Sequence, residues 1–116
     1  MTAPRVGIVL SAFATQPAAD LVAIAREAET RGYHAAWVGE TSGYDAVTLM
    51  TLIALSTERL QVGSAVVPVQ TRTPVVLGLT AASLNHCSND RVLLGLGLRI
   101  RAHAVEEGLH DHQRTA

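Results

Sequence analysis

Hydrophobic positions along this chain fall into two alternating rhythms. Four short, nearly continuous apolar runs, Arg5–Ser11, Ala35–Gly39, Leu60–Val67 and Arg91–Leu96, have the character of strands buried on both faces, as parallel strands are. The segments between them, Pro17–Arg31, Tyr44–Thr57 and Pro74–Leu84, carry helical spacing with start and stop signals. In the first, Leu21, Val22, Ala25, Ala28 and Glu29 recur at helical intervals. Pro17 suits its opening turn and Gly32 its left-handed stop, while Arg26, Glu27, Glu29 and Arg31 read as a solvated face. The second segment holds Val47, Leu49, Met50, Leu52, Ile53 and Leu55 behind Asp45 in its first turn. It is apolar almost all round and must be covered on more than one side. Thr73-Pro74 opens the third as N-cap and first helical residue, and Gly78 inside it predicts close packing. Regular β-α alternation calls for a parallel sheet with crossover helices. The predicted fold is α/β, a partial TIM-type (β/α)8 barrel of about four parallel strands and three helices. A complete barrel normally needs about 200 residues or more.

Composition sharpens this picture. The chain has 116 residues, 48% hydrophobic and only 16% charged, against roughly 25% charged in soluble domains. That is more apolar surface than a half-barrel can hide, so a missing cover is expected, either the rest of a barrel or another subunit. Open sheet edges promote pairing, and a homo-oligomer through those edges is the corresponding expectation. A net charge of −1 gives no attraction to nucleic acid or an anionic membrane. One cysteine excludes an internal disulfide and suits a reducing compartment. The N-terminus shows no signal-peptide core, and the apolar stretches fall short of a membrane span. The expected location is cytoplasmic.

In a β/α barrel the chemistry sits at the C-terminal ends of the strands. Four places qualify: Ser11–Ala14, Glu40–Tyr44, Pro68–Arg72 and Gly95–Arg99. Glu40 follows a buried strand directly and has three readings: holding a cofactor hydroxyl or ring, acting as a base, or capping the next helix. Gly95-Leu96-Gly97 admits a flat ring or a phosphate, or is simply crowded; it lacks the third glycine of a dinucleotide fingerprint. Arg72 beside Thr71 either binds an anionic cofactor tail or is solvated. The five histidines suggest no metal site, and no Ser–His–Asp arrangement is visible. Cys87, at the opposite rim, is expected to be buried and inert.

Longer motifs go further than the pattern. Ala28-x-x-x-Gly32-Tyr33-x-x-x-Trp37-Val38-Gly39-Glu40, Gly43-Tyr44-Asp45-Ala46, Thr57-Glu58-Arg59-Leu60-x-Val62-Gly63-Ser64-Ala65-Val66-x-Pro68 and Thr71-Arg72-Thr73-Pro74 together resemble the bacterial luciferase-like family, in particular its F420-dependent oxidoreductases. The resemblance implies a β/α barrel that binds reduced coenzyme F420, or alternatively FMN, at the C-terminal rim and acts on a small organic substrate. It implies a non-proline cis peptide at Ala65–Val66 backing the ring, with Glu40, Ala65, Val66 and Gly97 as cofactor-binding residues. No catalytic residue is assigned. Thr41 stands where some F420 enzymes of the family have His, and Ser88-Asn89-Asp90-Arg91 replaces a Ser-Gly-Gly-Arg turn. The match fades after Gly97. Residues 1–98 are therefore expected to form the N-terminal half of such a barrel, and 99–116 a divergent tail from a truncation or frameshift near Leu98. The parent enzyme would transfer a hydride between reduced F420 and its substrate; an FMN-dependent, oxygen-using monooxygenase and an inactive, self-associating half-barrel are the alternatives.

Overall fold

The structure, a computed structural model, describes residues 3–10, 16–40 and 43–98. The rim loop Ser11–Ala14, Thr41 and the tail 99–116 lie outside the described residues. The described elements run β1 (Gly7–Leu10), α1 (Ala18–Thr30), β2 (Ala35–Val38), α2 (Ala46–Ser56), β3 (Gln61–Ser64), β4 (Val67–Pro68), α3 (Pro74–Ser88), β5 (Val92–Leu93) and β6 (Leu96–Gly97). β1, β2, β3 and β5 form one parallel sheet in that order, and β4 pairs with β6 in a second, two-stranded parallel sheet. This is the partial barrel that the β-α alternation requires.

Two of the four expected strands are each split in two. The third divides into β3 and β4 at Ala65–Val66, whose peptide bond is cis. The fourth divides at Leu94-Gly95 into β5 and β6. At the break, the Gly95 carbonyl accepts both the Ser64 hydroxyl at 2.8 Å and the Val67 N–H at 2.9 Å. The strands stay joined there, although the regular ladder does not continue through the break.

Register separates the two faces of the sheet. Ile8, Ala36, Val62 and Val92 lie side by side and face the helices. There they join Leu21 and Ala25 of α1, Leu49, Met50 and Ile53 of α2, and Leu84 of α3 in one core. Fully burying each larger side chain of this set contributes about 1.5–3 kcal/mol. The opposite row is Val9, Trp37, Gly63 and Leu93. It faces what would be the barrel interior, and Val9 there is 66% exposed. Trp37 lies over neighbouring glycines: a Cβ added at Gly63 would collide with its six-membered ring, and one at Gly7 would stand 2.9 Å from its Nε1. One indole spanning three strands thus covers part of this uncharged inner row.

Helix ends follow local chemistry. Gly32, at φ 83°, ends α1, with its N–H and that of Tyr33 bonded back to Glu29 and Ala28. Pro17, expected as the first helical residue, is the N-cap of α1, which starts one position later at Ala18. The Thr73 and Asp45 side chains cap α3 and α2 by accepting the N–H groups of Val76 and Thr48. Three expectations need correction. Gly78 meets no atom within 4 Å of an added Cβ, so it faces open space and does not mark close packing. Cys87 is exposed, because it falls on the outer face of an α3 that continues to Ser88. Glu29 does not belong to the solvated face of α1: its carboxylate accepts the N–H groups of Glu58, Arg59 and Leu60, tying α1 to the entry of β3. No helix among the described residues is long and apolar enough to cross a membrane.

Candidate functional site

The C-terminal rim gathers the end of β2, the start of α2, the β3–β4 break, the segment after β4, and β6. Glu40 leaves β2 and turns toward α2. Its Oε1 accepts the Ala46 N–H at 3.0 Å, satisfying one of the unpaired amides that every helix start leaves. Arg72, four residues beyond β4, grips the same carboxylate with two bonds, Nη1 to Oε2 at 2.8 Å and Nη2 to Oε1 at 2.7 Å. Nη2 also contacts Asp45. Planar guanidinium and carboxylate match in this fork geometry, which makes such pairs short and directional.

Burial makes the cluster more than a surface contact. The Arg72 and Glu40 side chains are 14% and 11% exposed, whereas Asp45 is 47% exposed. The Glu40 hydrogen bonds and the nearby negative charges raise the Arg72 pKa, against the effect of burial. For Asp45 partial burial works upward, but hydrogen bonds from the Thr48 hydroxyl and N–H, contact with Glu40 and the Arg72 charge hold it below the usual carboxylate value. With Gly43, Tyr44 and Thr71 these side chains line an open hollow of about 360 Å³. Tyr44 extends the network by donating its hydroxyl to the Gln16 carbonyl at 2.6 Å, which links the starts of α1 and α2.

The expected cofactor residues form two neighbouring groups. Ala65 and Val66 are exposed at the rim, and Ala65 is tied to β2 by its N–H bond to the Val38 carbonyl at 2.8 Å. An added Cβ at Gly39 would lie 3.3 Å from the Ala65 carbonyl, and one at Gly97 would meet the Val66 side chain at 2.5 Å. The absence of a side chain at Gly97 therefore seats Val66. The space beside Gly95 is likewise taken, by the Ser64 carbonyl. What remains is a small, uncharged shelf at Ala65–Val66, bordered by Gly39 and Gly97, that could hold a flat ring. Glu40 belongs to the other group and has both oxygens engaged by Arg72 and α2. Arg72 is neither solvated nor extended as a lone anion hook, since two carboxylates hold it. The signal for this was present in the sequence: Arg72 is the only arginine or lysine between Arg59 and Arg91, and Glu40 and Asp45 flank the start of an uncharged helix.

A family model described as luciferase-like monooxygenase matches residues 2–116. The chain belongs to the luciferase-like monooxygenase family. The match includes residues beyond Gly97, where the motif resemblance fades. Among curated luciferase-like relatives, a Mycobacterium tuberculosis protein provisionally named a coenzyme F420-dependent oxidoreductase is 31% identical over 94 residues. That alignment covers 81% of this chain and 27% of the relative. Among solved structures, the coenzyme F420-dependent tetrahydromethanopterin reductase of Methanopyrus kandleri superposes with a TM-score of 0.80 at 24% identity, covering 90% of this chain and 30% of that one. A type II Baeyer–Villiger monooxygenase from Pseudomonas putida, the oxygenating constituent of 3,6-diketocamphane monooxygenase in complex with FMN, gives 0.78 at 15% identity, covering 93% and 33%. At these identities the two structures establish the luciferase-like fold. The chain spans about a quarter of the length of the curated relatives it matches.

Proposed function

We propose that this chain supplies the ring-binding N-terminal part of a luciferase-like oxidoreductase, in which reduced coenzyme F420 gives a hydride to a small organic substrate. Residues 1–98 are in this reading the first half of the barrel. The observation that carries the proposal is the exposed, uncharged Ala65–Val66 shelf at the rim, seated by Gly97 and bordered by Gly39. Family membership adds support, as does a relative named for F420 dependence. When bound, the reduced deazaflavin supplies the hydride. Ala65 and Val66 would offer the ring apolar contact, and the lack of a side chain at Gly97 gives Val66 the space it occupies.

FMN is the competing cofactor, favoured by the fold shared with an FMN-bound monooxygenase. A further reading, an inactive half-barrel that self-associates, is favoured by the open inner face, where Val9 is 66% and Leu93 43% exposed. One set of measurements on the 116-residue chain separates the three. Fluorescence titration with oxidised F420 and with FMN is expected to show weak saturable binding of F420, weaker binding of FMN, and no turnover. Replacing Gly97 by Val, which displaces Val66, is expected to abolish the F420 signal. Preferential binding of FMN would transfer the reading to the oxygen-using monooxygenases. Binding of neither, with light scattering showing concentration-dependent association, would leave the inactive half-barrel.

A further inference from the structure

Glu40 and Ala65–Val66 are neighbours at the rim, yet their chemistry differs. The shelf is uncharged and exposed. Glu40 is nearly buried, and its carboxylate is directed to Arg72 and the Ala46 N–H. Arg72 sits at the end of the segment that leaves the shelf: Val66 is followed by β4, then by a turn in which the Thr71 N–H and hydroxyl both bond the Pro68 carbonyl, at 3.3 and 2.8 Å. Arg72 Nη1 also reaches the Thr71 hydroxyl at 3.3 Å. Upstream, β4 is held to β6 through Val67 N–H to Gly95 and Val69 N–H to Gly97, both at 2.9 Å. The ladder is only two residues long, and a ladder so short opens easily unless something fixes its far end.

We propose that Arg72 is a positioning residue for the ring shelf: held in the fork of Glu40 and touching Asp45, it pins the segment after β4 to the start of α2 and so keeps Ala65–Val66 in place. Glu40 acts through Arg72 and does not touch the ring. The hydrogen bonds support this division of labour. The Glu40 carboxylate is bonded twice by one guanidinium and once by a helix amide, which ties it to Arg72 and the start of α2. Neutralising Arg72 alone would leave Glu40 nearly buried without its counter-ion, which is costly, whereas removing both charges together is far less so. Glu40 and Arg72 should therefore behave as one unit, with effects that do not add.

The effect on cofactor affinity rests on the ring-binding reading; the effect on the rim backbone does not. Amide hydrogen exchange by NMR and F420 fluorescence titration are measured on the full chain and on Glu40→Gln, Arg72→Met and the double variant. In Arg72→Met, the Val67 and Val69 amides are expected to exchange about tenfold faster, while the Gln61 and His34 amides at the opposite end of the sheet stay within about twofold. F420 affinity is expected to fall about tenfold in Arg72→Met and no further in the double variant. If Arg72→Met alone does not fold, the double variant, with no buried lone charge, carries both measurements against the parent chain. Unchanged exchange at Val67 and Val69 would overturn the proposal. So would a further several-fold loss of affinity when Glu40→Gln is added to Arg72→Met, because Glu40 would then contact the ring directly. If the parent chain holds no F420, the cofactor reading falls while the exchange result still decides the role of Arg72.

Discussion

Trp37 illustrates how single residues shape the interior of this partial barrel. On β2 it reads as one more apolar position in a buried strand. In the sheet it lies over its neighbours, and Gly7 and Gly63 on the flanking strands are small because the indole occupies their inner face. Gly63→Ala forces the ring to move, and overpacking of this kind typically costs about 1–3 kcal/mol. A lower urea midpoint is expected, with a shifted emission maximum from the single tryptophan of the chain. Trp37→Phe in the same background should recover part of the loss, and an unchanged midpoint in Gly63→Ala would show that the indole is free to slide. Glu40 and Arg72 teach the same lesson at the rim. Each is conspicuous in the sequence, but their 32-residue separation hides the pairing until the end of β2 and the segment after β4 meet at the rim.

At the level of elements, seven segments were legible because apolar runs, caps and breakers agree. Gly32, Thr73 and Pro74 do in the structure what their chemistry predicts. The breaks inside the third and fourth strands were not legible as breaks. They depend on Ser64 and Val67 meeting the Gly95 carbonyl from another strand. The turn into β5 shows a second non-local requirement. Asn89 and Asp90 both adopt positive φ, 56° and 62°, and the turn delivers Arg91 into the gap between helix ends. Its guanidinium donates to the carbonyls of Ala54, Thr57, Leu60 and Ser88 and to the Thr57 hydroxyl. Arg91→Met fills similar volume but leaves those carbonyls without a donor. A loss of about 2–4 kcal/mol is expected in urea unfolding, and a change below about 0.5 kcal/mol, the size usual for surface substitutions, would mean that water replaces the bonds readily.

For the whole molecule, acid is the informative variable. Partial burial pushes the Glu29 pKa upward, but the N–H groups of Arg59, Leu60 and Glu58 together with the Arg59 charge outweigh it, and the group titrates below its ordinary value of 4.5. Asp45 lies below its ordinary 3.8, as described for the rim. A carboxylate whose pKa is lowered by folding contributes stability that is complete above the ordinary value and lost as pH falls through the folded one. Urea midpoints are accordingly expected to be insensitive to these two groups between about pH 5 and 7 and to decline below about 4.5. Glu29→Gln should make that decline shallower. An acid limb of the same steepness in Glu29→Gln would remove Glu29 from the cause.

The sequence by itself determined the α/β class, the order of the main elements and, through its motifs, the family. These depend on local periodicity and on residues close together in the chain. Only the tertiary structure decided what the polar residues do. Glu40 and Arg72 became one nearly buried ion pair, Glu29 and Arg91 became ties at helix and strand ends, and Gly97 became the seat of Val66. Each role depends on atoms from segments roughly 30 residues apart, or on opposite strands, meeting within hydrogen-bond or van der Waals distance. The type and spacing of residues along one chain do not encode such a meeting; packing the strands side by side creates it.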